Sequence, residues 1–423
     1  MALPPWTVEL IRRGLSDVAA RAGEPDTIRR WKRQASGLLQ ELPETAARGI
    51  RRVMDTADAG RETVERWSRR QGSAAVPFLN ASGILDHPWG SGVPIADATL
   101  AAAVEWLRGD VISDHAADDR LRRVLAKAVP TLEGVEVCVT HNFPAALSAL
   151  CLLGGRRPLV VHRHHAVRLA DGTPLPLAFG TGLPVVTEVG AVDRVDAEDF
   201  AGIADACVVT ADDGSGRWEP LPLGDGGAIH ARILEVGTVA DRPARIVPSA
   251  ESTLRDGAQL VVMPGDGIAA GPPCGLIFGP AEELDVIRQS AAWPALRAGQ
   301  AVHAMLAEAW AQPSPIDDLI ATSPENLKSR AERMATRLSG CESIASARVT
   351  AEDARVTGRG CWKFPSRQVE LTHRSRTPEQ WARHLAGEMP AIAAAVAPET
   401  LRIDLRWVNP ADDARLAEAL ARG

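Results

Sequence analysis

Lysine is scarce in this sequence. The 423 residues include four lysines against 43 arginines. The four are Lys32, Lys127, Lys328 and Lys363. Covalent catalysis through a Schiff base needs a lysine side chain, so only these four positions can supply the amine.

Long apolar runs and paired cysteines are also absent. No segment approaches the roughly 18–20 consecutive apolar residues of a membrane-spanning helix. The opening residues MALPPWTVELIRRGL contain no long apolar stretch of the kind that secretory signals carry. The six cysteines are scattered and form no CxxC pair, which is typical of free thiols in a reducing compartment. These features predict a cytoplasmic protein that does not associate with a membrane.

Charge is distributed unevenly along the chain. The formal net charge is −7, which argues against a protein that coats nucleic acid over its whole surface. Residues 1–72 contain 14 Lys and Arg against 10 Asp and Glu. The densest basic cluster, Arg29-Arg30-Trp31-Lys32-Arg33, is either an RNA-contacting helix or a solvated helix face. The sequence leaves both interpretations open.

Hydrophobic periodicity divides the chain into three segments. Residues 1–72 carry apolar positions at helical spacing, whereas residues 73–311 alternate short Val/Ile/Leu runs with helical stretches. Such runs are typical of a mostly parallel sheet buried on both faces, with ligands at the carboxyl ends of its strands. Residues 312–423 predict a small α+β domain, so the expected fold class is α/β. The predicted strands of the large domain are Val135–Thr140, Leu159–Val161, Pro184–Val189, Cys207–Thr210, Leu260–Met263 and Gly275–Phe278.

Five motifs from Phe78 onwards resemble, in the same order, motifs of the L-seryl-tRNA(Sec) selenium transferases, the bacterial selenocysteine synthases. They are FLNASGILDHPWGSGVPI (78–95), EVGAVDRVDAEDF (188–200), MPGDGIAAGPPCGLIFG (263–279), PALRAGQ (294–300) and LRIDLRWVNPADDARLAEAL (401–420). The resemblance implies the fold-type-I architecture of pyridoxal-phosphate (PLP)-dependent transferases. It also implies a homodimer or larger homo-oligomer, with tRNA as a partner of the N-terminal segment.

The catalytic lysine of that family is missing. The GDK motif of the family aligns with Gly265-Asp266-Gly267, so Gly267 stands where the lysine would hold the cofactor. The resemblance makes Glu235 the candidate acid on the pyridine nitrogen, with a solvent-facing glutamate as the alternative. The run Asp212-Asp213-Gly214-Ser215-Gly216 is a second acidic candidate or a plain turn. Covalent PLP binding is therefore not expected, and non-covalent binding stays open.

The remaining site candidates also come from the resemblance. The cofactor-binding candidates are Thr140, His141, Asn142, His165 and Asp266. The first three precede a predicted helix, whose N-terminus would attract a phosphate, and an ordinary capped helix is the alternative. Arg163 and Arg297 align with cations that would hold an anionic substrate. The cluster His162-Arg163-His164-His165 predicts a polar loop at the mouth of a cleft rather than a metal site.

The missing lysine, together with Pro264 in place of the family's serine and Ser91 and Pro294 in place of two of its arginines, predicts a catalytically degenerate relative of selenocysteine synthase. It would act as a binding or assembly subunit, beside a catalytic paralogue. One alternative is an enzyme with altered chemistry in the same cleft. A second alternative is a tRNA-binding protein that uses the basic N-terminal helices.

Overall fold

The computed structural model describes most of the chain after residue 74. The described residues are 75–111, 116–131, 134–155, 157–169, 171–179, 186–212, 214, 221–223, 226–241, 246–359 and 361–422. The chain divides into two compact units, Met1–Val76 and Pro77–Gly423, and the elements below belong to the second. The predicted helices of residues 1–72 and the basic cluster at 29–33 lie outside the described residues.

Strands and helices alternate through the first part of this unit and are mixed in the second. The strands are β1 (Phe78–Ala81), β2 (Val135–Thr140), β3 (Leu159–His162), β4 (Thr187–Val189), β5 (Cys207–Ala211), β6 (Ile229–Ile233), β7 (Leu260–Pro264), β8 (Gly275–Pro280), β9 (Ile344–Thr350), β10 (Asp353–Arg355), β11 (Lys363–Pro365), β12 (Gln368–His373), β13 (Ala391–Val396) and β14 (Leu401–Asp404). The helices are α1 (Asp97–Leu107), α2 (Ala116–Ala128), α3 (Phe143–Leu150), α4 (Ala250–Arg255), α5 (Ala281–Gln289), α6 (Trp293–Leu296), α7 (Gln300–Ala311), α8 (Pro315–Ala321), α9 (Pro324–Ser339), α10 (Pro378–Gly387) and α11 (Asp413–Arg422). In the part of the chain that the structure describes, no helix is long and apolar enough to cross a bilayer.

The large sheet has seven strands in the order β2-β8-β7-β6-β5-β3-β4. Neighbouring strands from β7 to β4 run parallel, and β8 runs antiparallel to both of its neighbours. Every residue of β5 and β6 is buried, as expected for central strands covered on both faces. The prediction of a mostly parallel α/β sheet is confirmed.

Helices cover both faces of this sheet. On one face, α3 packs its leucine side chains against β7 and β8, and α5 packs its leucine and isoleucine side chains against β2 and β8. On the other face, α2 and α7 pack against β7 and β8. Within β8, Ile277 belongs to the first core and Leu276 and Phe278 to the second, because successive side chains of a strand point to opposite faces.

A second sheet has five strands in the order β1-β13-β14-β12-β9. Helices α9, α10 and α11 cover one side of it, around the fully buried Trp381. Strand β1 lies at its edge and pairs in parallel with β13, from Phe78–Ala391 to Ala81–Ala394. The residues at the start of the described unit therefore complete a sheet built otherwise from residues after 343.

An apolar cluster joins the second sheet to the large one. The two-stranded ribbon of β10 and β11 contributes Ala354 and Phe364, which pack with Trp407. The same cluster includes Val236, which follows β6, and Ile268, which follows β7. Several residues of this cluster, among them Val236 and Ile268, also line a cavity at the carboxyl ends of β6 and β7. The predicted boundaries after residues 72 and 311 stay a prediction.

Candidate ligand-binding cavity

A cavity of about 700 Å³ lies where the chain leaves β6 and β7. Residues 235–237 follow β6, and residues from 264 to 273 follow β7. The first turns of α3, the segment between β1 and α1, and the start of α8 close the remaining sides. The cavity therefore lies at the carboxyl ends of parallel strands, where open α/β sheets bind their ligands.

Gly267 faces this cavity directly. Its φ angle is +59°, and a Cβ atom built on it would meet nothing within 4 Å. Gly271 is different, because a Cβ there would lie 2.6 Å from the backbone oxygen of Gly265. The loop after β7 folds back on itself through this close approach, with the Gly271 N–H donating to Gly265 O at 2.8 Å. Gly271 is thus required by packing, whereas the absence of a side chain at Gly267 leaves space that belongs to the cavity.

Four carboxylates line the cavity: Asp86, Asp171, Glu235 and Asp266. Burial raises the pKa of Asp266, and the nearby charge of Asp86 raises it further. Desolvation by the surrounding protein also raises the pKa of Asp86. Among the described residues that line the cavity there is no lysine, arginine or histidine. The cavity is therefore electronegative whenever these acids are ionised.

The predicted phosphate-binding residues serve the fold in this structure. Thr140 is buried, and its hydroxyl donates to the backbone oxygens of Asn142 (2.8 Å) and Gly275 (3.2 Å). The side chain of Asn142 caps α3 by accepting the Ala145 N–H at 2.8 Å. His141 lies exposed between them, outside the set that lines the cavity. The arrangement is that of an ordinary capped helix, with Pro144 in its first turn.

Arg163 and His165 lie in a short 3₁₀ turn that follows β3. The Arg163 guanidinium donates to the backbone oxygens of Gly190 (2.8 Å) and Glu188 (3.3 Å). The His165 ring lies edge-on to His164, with ring centroids 5.1 Å apart. Neither residue lines the cavity. Both lie beside β4, at one edge of the large sheet.

Arg297 lies at the opposite edge of the sheet. It is exposed and forms an isolated antiparallel bridge with Thr140 at the end of β2. Five strand intervals separate β2 from β3, which corresponds to roughly 25 Å. Within one chain, Arg163 and Arg297 therefore lie far apart, on either side of the cavity.

The second acidic candidate, Asp212, is part of a turn. Its Oδ1 accepts the Gly214 N–H at 2.9 Å, and its Oδ2 lies 3.6 Å from the buried Arg232 guanidinium. Asp212 does not line the cavity, and Asp213, Ser215 and Gly216 lie outside the described residues. Of the two acidic candidates, only Glu235 lines the cavity, together with Asp266 and Gly267.

Two carboxylates of the cavity, Asp86 and Asp171, are not apparent from sequence reasoning. Asp86 lies within the first of the five motifs, shortly after β1, and the presence of an acid in that motif is the one signal that points to it. Asp171 lies in a turn, where its Oδ1 accepts the Thr173 N–H at 2.8 Å. Aspartate is so common in turns that no local signal separates it from a structural residue.

The residues of this cavity do not fit PLP. The cofactor needs an amine for its aldehyde and donors for its phosphate dianion. The described lysines are Lys127 on α2, Lys328 on α9 and Lys363 on β11, and none of them lines the cavity. Ser314, one of the lining hydroxyls, is already bonded to Asp317 at 3.1 Å. A phosphate dianion in this cavity would instead lie near the carboxylates that line it.

Comparisons with known proteins agree with the motif order. No protein-family model matches the chain. The chain is 24% identical to the L-seryl-tRNA(Sec) selenium transferase of Yersinia enterocolitica serotype O:8 / biotype 1B over 404 residues, covering 84% of this chain and 85% of that protein. It is 22% identical to the L-seryl-tRNA(Sec) selenium transferase of Moorella thermoacetica over 413 residues, covering 88% and 87%. The similarity to selenocysteine synthases therefore extends over most of the chain.

A solved structure supports the fold assignment. D-glucosaminate-6-phosphate ammonia-lyase superposes with a TM-score of 0.56 at 14% sequence identity, covering 84% of this chain and 97% of that chain. At this identity the likeness concerns the fold alone. The architecture is that of the fold-type-I PLP-dependent enzymes, as the motifs predicted.

Proposed function

We propose that this protein is a selenocysteine synthase-like subunit that has kept the fold and lost covalent PLP chemistry. The observation that carries the proposal is Gly267, which faces the cavity at the end of β7 with no side chain to form a Schiff base. The lack of a cationic side chain among the described lining residues supports the same conclusion. The protein would act by binding or assembly, as a cytoplasmic homodimer or larger homo-oligomer, beside a catalytic paralogue.

A second candidate function is an enzyme with altered chemistry in the same cavity. The observation that favours it is the raised pKa of the Asp266 carboxyl, because carboxyls of this kind serve as general acids. The tRNA-binding alternative depends on residues 1–72, which lie outside the described residues.

The proposal is tested by adding PLP to the full-length protein and recording absorbance spectra. After borohydride reduction, tryptic peptides are searched for a pyridoxyl group on lysine. We expect no retained cofactor and no modified peptide, because none of the described residues that line the cavity carries an amine. A stoichiometric adduct on one defined lysine, or turnover of a seryl-tRNA, would contradict the proposal.

The variant Gly267→Lys provides the complementary test. The positive φ angle costs a lysine about 1–2 kcal/mol, and the Cβ has free space, so the variant should fold. If the missing amine is the main defect, Gly267→Lys should form a reducible PLP adduct on residue 267. The matched control is Gly109→Lys, since Gly109 also has a positive φ angle (+81°) and open space, but lies outside the cavity lining. An equal adduct in both variants would show surface reaction only.

A further inference from the structure

The cavity has the size and lining of a small-molecule site. Its volume of about 700 Å³ lies within the range of roughly 300–1,000 Å³ typical of ligand pockets. Much of the lining is apolar, including Leu85, Phe143, Leu147, Val236 and Ile268. A ligand with an apolar body would be desolvated against these side chains. The charge of its polar part is then decided by the acids on the walls.

The acids approach the cavity from separate elements. Asp86 follows β1, Glu235 follows β6, and Asp266 follows β7. Neither Asp86 nor Asp266 forms an ion pair with any residue that the structure describes. The charge of Asp86 acts unfavourably on Asp266. Asp86 is exposed and Asp266 is partly buried, so ionising both carboxylates at the cavity wall is unfavourable chiefly for Asp266, and a cation near both of them would offset that cost.

We propose that this cavity binds a small organic amine, in which a cationic ammonium group is attached to an apolar body, and excludes phosphate-bearing cofactors. The inference rests on the proposed function, because it names the ligand class that the cavity takes once PLP is lost. The ammonium group lies between Asp86 and Asp266, and the apolar body contacts Phe143 and Leu147 at the start of α3. The open volume above Gly267 admits the ligand where a lysine side chain would otherwise project.

The same features exclude a phosphate. Its dianion would be repelled by the carboxylates. The polar groups of Thr140 and Asn142, which the resemblance assigns to the phosphate, are already bonded within the fold. The cavity therefore discriminates by charge.

The test compares two probes of similar size and opposite charge. Tryptamine and indole-3-propionate share a ring system, and PLP is the third probe. Binding to the full-length protein is measured by calorimetry at low ionic strength. We expect tryptamine to bind at least about tenfold more tightly than either anion, and raised salt to weaken it.

Two variants and one control test which carboxylates hold the ammonium group. Asp86→Asn and Asp266→Asn should each weaken tryptamine binding about tenfold, and two variants are used in case one fails to fold. Glu399→Gln removes an exposed acid outside the cavity lining and should bind tryptamine as the parent does. Undetectable tryptamine binding, equal binding of an anion, or parental affinity in both aspartate variants would overturn the inference. A covalent PLP adduct would instead refute the proposed function, so the two failures are distinguishable.

Discussion

His230 should make the stability of this protein depend on pH. It lies on β6 with 3% of its surface exposed, and its Nε2 lies 2.8 Å from the Thr210 hydroxyl. Burial lowers the pKa of His230 to about 3, with further contributions from the charges of Arg232 and His165. The imidazole is therefore neutral in the folded protein at neutral and mildly acidic pH.

The size of the effect follows from the difference between folded and unfolded states. The unfolded histidine has a pKa of about 6.5. Below that pH the unfolded chain binds a proton that the folded chain does not, so the free energy of unfolding falls as the pH falls. The slope approaches about 1.4 kcal/mol per pH unit well below pH 6.5, and the loss between pH 6.5 and pH 5 is about 1.6 kcal/mol. The loss of unfolding free energy levels off only when the pH approaches the pKa of His230 in the folded protein.

The assay is urea unfolding followed by tryptophan fluorescence across this pH range. The variant His230→Gln keeps a polar partner for Thr210 and removes the titration, so its slope should be shallower by about 1.4 kcal/mol per pH unit. The control is His384→Gln, since His384 lies on α10 with 38% of its side chain exposed. If His230→Gln keeps the parental slope, the buried neutral His230 is not the cause of the pH dependence of the free energy of unfolding.

Two further predictions concern packing around the large sheet. Arg157→Met should lower the free energy of unfolding by about 3–5 kcal/mol, because the buried Glu283 carboxylate would lose a partner that donates to both of its oxygens at 2.8–3.1 Å. In urea unfolding, the double variant Arg157→Met with Glu283→Leu should recover most of this loss. An equal loss in the single and double variants would refute the prediction. Gly275→Ala should cost about 1–3 kcal/mol, because its Cβ would lie 2.5 Å from Asn142 O. Thermal unfolding checks this against Gly358→Ala, whose Cβ meets nothing within 4 Å; equal stability of the two would refute it.

The strands of the large sheet were largely predictable from local sequence. The prediction for Val135–Thr140 matches β2, and those for β5 and β7 end one residue early. Continuous buried Val/Ile/Leu runs are a local signal, which explains this success. The helix predicted to follow Thr140, His141 and Asn142 begins at Phe143, where the side chain of Asn142 provides the cap. Strand β6, which precedes Glu235, was not among the predicted strands, so periodicity predicted the strand before Asp266 and missed the one before Glu235.

Long-range pairing was not predictable in the same way. The antiparallel direction of β8 and the partner of β1 depend on contacts between distant segments, for which hydrophobic periodicity contains no information. The same holds for Arg163 and Arg297, since the order of motifs does not reveal at which sheet edge each one lies. Asp86 reaches the cavity through a loop, and loops have no periodic pattern that shows where a side chain points.

The pairing of β1 with β13 has a practical consequence for dissecting the protein. A fragment that starts at residue 312 would leave the backbone groups of Ala391–Ala394 without their natural neighbour. Such a bare sheet edge is a template for pairing with other molecules. Expression of the C-terminal region therefore calls for the strand Phe78–Ala81 to be supplied with it, either as a fused segment or as an added peptide.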